Sequence, residues 1–199
     1  MWKRSSNSVC VVLVLIVLLV DGCATAPERF TGQKQVNVTP ALRERYHQAI
    51  EAMKAGQWQS AIVDFESITR ENDRLSGPYL NLGIAYAHTG DKEKAIAALQ
   101  ASIERHPDNP IAYNQLGILY RQNGQFEQAG KMYESALQID PACADAQWNL
   151  GVLHDLYLQQ PSEAQQHYER YRQLTGSDKR QLPPEIAGMQ QLTVGARQP

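Results

Sequence analysis

Residues 79–109 read YLNLGIAYAHTGDKEKAIAALQASIERHPDN, and residues 113–143 read YNQLGILYRQNGQFEQAGKMYESALQIDPAC. A shift of 34 lays one on the other without a gap. Tyr79 falls on Tyr113, Leu82 on Leu116, Gly83 on Gly117, Tyr86 on Tyr120, Gly90 on Gly124, Ala95 on Ala129 and Pro107 on Pro141. Self-similarity at a period of roughly 20–50 residues marks a chain built from stacked supersecondary units. Leu, Gly and Tyr stand at offsets 0, 1 and 4, which is one stripe of an α-helix. Glycine inside a helix costs about 1 kcal/mol against alanine, so Gly83 and Gly117 imply close approach of the paired helix. Gly90 and Gly124 suit tight turns between helices, and Pro107 and Pro141 end the second helix of each unit.

The register extends both ways. Backwards it places Ala49, Gly56, Ala61 and Phe65; forwards it places Trp148, Leu150, Gly151 and Tyr168, the last with a one-residue insertion near Leu158–Pro161. The pattern resembles the tetratricopeptide repeat, a helix-turn-helix unit of 34 residues. The resemblance implies an all-α, right-handed superhelical solenoid over residues 41–175, with about four units near 42–75, 76–109, 110–143 and 144–175. The predicted helices run 41–55, 58–72, 76–89, 92–105, 110–123, 126–139, 144–158 and 161–174. In the segment 176–199 a further short helix, Pro184 to Leu192, presents Ile186, Met189 and Leu192 on one face and is expected to cap the array; a disordered tail, favoured by Gly188, is the alternative.

Stacked helical pairs enclose a concave groove lined by the first helix of each unit. Residues outside the Leu-Gly-Tyr stripe are its expected lining. They are Tyr46, Ile50 and Met53 in the first unit, and Leu80, Asn81, Ile84 and His88 in the second. The third unit offers Asn114, Gln115, Ile118 and Arg121, and the fourth Trp148, Asn149, Val152 and Asp155. Amides pair with peptide backbone and apolar hollows select side chains, so a peptide or helix of another protein fits this set. The resemblance marks Asn81 and Asn149 as peptide-contacting positions, with Asn114 and Gln115 as weaker ones; packing alone is the competing role for each. The carboxylate-clamp subtype is set aside, because its basic positions hold Tyr46, Ile111 and Gln115.

Before the repeats lies an export signature. Lys3 and Arg4 precede an unbroken apolar run, Val9 to Val20. Twelve residues fall short of the roughly 20 that span a bilayer but fit the core of a signal peptide, assigned to 1–22. Val20-Asp21-Gly22-Cys23 resembles the lipobox of bacterial lipoproteins; Asp21 departs from the small or aliphatic residue usual there. The resemblance implies cleavage before Cys23 and its acylation, with 23–40 as a tether rich in polar residues. Ala24 in place of Asp implies the outer membrane, facing the periplasm, with inner-membrane anchoring as the alternative. An ordinary cleaved signal or an uncleaved anchor, with Cys23 incidental, is the competing reading.

A net charge of -2 excludes the electrostatic footprint of a nucleic-acid binder. The five histidines are scattered, and no zinc-spaced Cys/His cluster, phosphate-binding loop or nucleophile elbow appears, so neither an enzyme nor a metal or cofactor is expected. Cys143 has no base near it in sequence and reads as a small, partly buried residue. The expected function is an anchored interaction adaptor whose layout resembles pilotins of pilus secretins. Regulation of peptidoglycan hydrolases and structural self-association are the alternatives.

Overall fold

The computed structural model describes residues 38–176. The signal segment, Cys23 and the Pro184–Leu192 cap helix lie outside the described residues. Among the described residues eight α-helices follow one another: α1 Pro40–Lys54, α2 Trp58–Glu71, α3 Ser76–Thr89, α4 Lys92–Arg105, α5 Pro110–Gln122, α6 Phe126–Ile139, α7 Ala144–Val152 and α8 Pro161–Thr175. Helices α1 and α2, α3 and α4, α5 and α6, and α7 and α8 pack as antiparallel hairpins, and each hairpin packs on the next. The all-α superhelix expected from the repeat is the observed architecture. Starts are marked chemically. Proline opens α1, α5 and α8, where its missing N–H has no intrahelical acceptor to lose. Thr39, Asp91 and Asn109 accept hydrogen bonds from early N–H groups of α1, α4 and α5.

The mid-helix glycines mark where a side chain of the partner helix lands. A β-carbon on Gly83 would lie 2.6 Å from Leu99 Cγ; one on Gly117 would lie 2.6 Å from Tyr133 Cε1, and one on Gly151 the same distance from Tyr168 Cε1. In the first unit the corresponding pair is Ala49 and Phe65, both wholly buried. The second helix of every unit therefore sets one large side chain against the small residue of the first. The buried residues form two core clusters, one spanning Leu42 to Leu119 and one of Ala129, Tyr133, Leu150 and Leu153.

The one-residue insertion of the fourth unit lies upstream of where the sequence places it. Helix α7 stops at Val152 and continues as a π-helical turn, Leu153–Tyr157. The turn bonds show the extra residue. Gln57 N–H reaches Ala52 O, Asp91 N–H reaches Tyr86 O and Gln125 N–H reaches Tyr120 O, all five residues back; Gln160 N–H reaches His154 O, six back. A π turn absorbs one added residue without breaking the helix. The left-handed turn position is Gly56, Gly90 and Gly124 in three units but Gln159, with φ 57°, in the fourth. A side chain there costs about 1–2 kcal/mol. Gln159→Gly is therefore expected to raise the stability of the fourth unit by about 1 kcal/mol, read as a higher denaturant midpoint; an unchanged or lower midpoint would contradict this account of the turn.

Candidate functional site

The first helices α1, α3, α5 and α7 succeed one another along the inner side of the array. Rungs of side chains tie them. Asn81 donates to Tyr46 Oη at 2.7 Å and to Gly77 O at 3.1 Å, and Asn149 donates to Asn114 Oδ1 at 3.0 Å. Each rung joins one helix to the residue 35 positions on in the next. Tyr46 in turn stands edge-on to Phe65, with ring centroids 5.7 Å apart, and burial raises its phenol. The expected ligand contacts of Asn114 and Asn149 are corrected here: both are buried, at 4% and 8% exposure, and their paired amides hold two helices together. Asn81 turns its amide hydrogens to the same structural use. Val152, wholly buried, is likewise removed from the groove, because its isopropyl group has gone into the packed interior. Ile50, Met53 and Leu80 are partly buried against the first core cluster.

Four expected residues do converge. Ile84 and His88 on α3, with Gln115 and Ile118 on α5, line a cavity of about 170 Å³ between the two helices. Leu99, Leu119 and Gly83 also line it, and Ala87 and Gln122 complete the lining. His88 is held by stacking on Trp58, with centroids 3.9 Å apart and planes 4° from parallel. Ala87 and Gln122 were missed in the sequence, although the repeat register contained the signal: Gln122 lies 34 residues after His88, and Ala87 lies 34 before Arg121. Six of the nine lining residues are apolar, the other three carry amides and an imidazole, and no carboxylate, lysine or arginine lines it. Such a hollow accepts an apolar group and offers hydrogen bonds at its edge.

The fourth unit builds a different surface. The Arg121 guanidinium lies over the Tyr157 ring, 5.8 Å from its centroid, beside the buried Tyr133. Burial pushes the Tyr133 phenol up to about 12. Trp148 packs on Tyr168 and Tyr171 at 5.1 and 5.2 Å, and Asp155 accepts a long bond from Tyr168 Oη at 3.4 Å. These residues brace α7 against α8. Cys143 occupies the N-cap position of α7 without a side-chain capping bond, and its thiol is raised chiefly by burial. Among the described residues no group of three or more His, Cys, Asp or Glu is placed for a metal ion, and no helix is long and apolar enough to cross a membrane.

His154 and His167 stack at 5.4 Å with planes 7° apart, and each Nδ1 is paired to a glutamine Oε1, Gln160 and Gln147 respectively. Burial, then the neighbouring His154, holds His167 below the ordinary histidine range. The unfolded chain then binds this proton more readily than the folded one. Its contribution is intact above about pH 6.5 and is lost as pH falls through that value toward the folded pKa. The thermal midpoint is expected to fall between pH 7 and 5, and His167→Gln to flatten that dependence; an identical slope in the variant would exclude His167 as the cause.

The tetratricopeptide repeat family matches residues 74–142 and 108–175, which together reach just over half of the chain. No curated protein matches the sequence. Among solved structures, MamA is similar at 22% identity and TM-score 0.62, over 67% of this chain and 77% of that one. A thermophilic repeat protein of Thermus thermophilus is similar at 18% identity and TM-score 0.62, over 78% and 83%. The first repeat domain of Spaghetti, solved with the HSP90 peptide SRMEEVD, shares 18% identity at TM-score 0.55, over 57% and 90%. At these identities the likeness is one of fold. With its 34-residue period, its paired helices and the family match, the chain belongs to the tetratricopeptide repeat family, whose arrays mediate protein–protein interactions.

Proposed function

We propose that this protein is an anchored adaptor of the bacterial envelope: acylated Cys23 holds it at the periplasmic face of the outer membrane, and the inner side of its array holds a segment of another envelope protein. The cavity between α3 and α5 carries the second half of the reading, since six of its nine lining residues are apolar and the other three offer two amides and an imidazole. That a similar fold was solved with a bound peptide is consistent with it. The first half rests on the basic start, the apolar run and the cysteine that follows. Several acyl chains, at about 0.8 kcal/mol per buried methylene, hold a protein firmly on a bilayer. The layout of anchor plus repeats resembles that of pilotins, and on that resemblance of layout assembly of a pilus secretin is the role we propose. It is a binding role, with no chemical step.

Two measurements test it. Mass spectrometry of the mature protein should show a chain beginning at an acylated Cys23; an unmodified chain beginning elsewhere removes the anchor. A photo-crosslinker at Ile118 should join the protein to a secretin subunit in intact cells. Crosslinks to peptidoglycan hydrolases would replace the secretin role, and crosslinks between copies alone would replace the adaptor by a self-associating one.

A further inference from the structure

The inner edge of the array offers three equivalent junctions, each pairing a residue with the one 35 positions on. Tyr46 with Asn81 and Asn114 with Asn149 are closed by hydrogen bonds of 2.7 and 3.0 Å. The middle pair is Leu80 with Gln115, and a leucine has no atom that can close it. Gln115 makes no side-chain hydrogen bond to any described residue, and it forms one end of the cavity, which continues along α3 and α5 to His88 and Gln122 and which Leu80 does not line. We infer that the held segment is an extended peptide that seats one uncharged aliphatic side chain between α3 and α5, with its backbone paired to Gln115 and Gln122. This inference rests on the segment-holding reading and narrows it to a ligand class.

Size, charge and spacing favour that occupant. About 170 Å³ is below the roughly 300–1,000 Å³ of sites for whole small molecules, but suits one aliphatic side chain. An acidic side chain would enter with no lysine or arginine on the wall to receive it, and burying an unpaired charge is costly. Gln115 and Gln122 are two turns apart on α5, about 10 Å along the axis. Three residues of extended chain cover about the same length. An extended backbone leaves N–H and C=O groups free for two amides, whereas a helix has already paired its own.

The purified full chain in detergent, immobilised and panned against phage-displayed random dodecapeptides, gives the test. The expected consensus has one Leu, Ile, Val or Met and no acidic requirement. Alanine at that peptide position, or Ala87→Leu filling the cavity, should weaken the synthetic peptide about 10- to 100-fold. Leu80→Asn, which lets residue 80 accept from Gln115, is the second variant and should also weaken it while the helical signal is retained. Peptides that bind with an acidic consensus, or that survive both variants, overturn the inference and leave segment-holding intact. No enrichment over the bare support overturns both. Saturation of the site by a synthetic 177–199 peptide would assign it to the chain's own tail and overturn the partner.

Discussion

Gly117→Leu is expected to lower the thermal midpoint by up to about 10 °C. The glycine faces the wholly buried Tyr133, and even a β-carbon there would stand 2.6 Å from Cε1 and 2.7 Å from Cδ1 of its ring. Neither helix can yield freely, because Tyr133 is also packed in the cluster with Ala129, Leu150 and Leu153. Overpacking of this kind costs about 1–3 kcal/mol and occasionally more, and at this chain length each kcal/mol moves the midpoint by about 2–4 °C. Circular dichroism on heating reads the loss. The partner change Tyr133→Ala should partly restore the leucine variant, as contacting residues couple by about 0.5–3 kcal/mol. A leucine tolerated without loss would mean that the helices do not meet as described.

Phe65→Ala should cost about 3–5 kcal/mol. Phe65 has no exposed surface and supports the edge of Tyr46, whose hydroxyl accepts from Asn81. Its removal therefore opens a cavity in the first unit and loosens the first rung together. In a repeat array each unit touches only its neighbours, so damage at one end is felt mainly there. The expected trace has an early loss of part of the helical signal, followed by the main transition of units two to four. A single sharp transition, shifted as a whole, would show instead that the four units melt as one.

The periodic features were legible because each serves the same contact in every unit. Leu82, Gly83 and Tyr86 repeat as Leu116, Gly117 and Tyr120, and all eight described helices begin within one residue of their predicted starts. The groove was harder to read. A position that faces inward in every unit is free to be a rung, a cavity wall or a core residue, and its neighbour one unit away decides which. Asn149 is a rung because residue 114 is asparagine, whereas Gln115 is left open because residue 80 is leucine. The π turn escaped for a related reason. An insertion in the sequence can be slid along several residues without changing the match, and only the bond from Gln160 back to His154 locates it.

The open junction also has a mechanical meaning. A superhelix bends by hinging between units, and its stiffness at each hinge depends on what crosses the inner edge. Two hinges are latched by side-chain hydrogen bonds of asparagine amides, while among the described residues the inner edge between the second and third units has no such bond and is held by packing. Under load the array should flex there first, and a peptide lodged in that gap would act as the missing latch. Hydrogen exchange offers the check: amides of α3 and α5 should slow on binding, and equal slowing along all four units would argue against a single hinge.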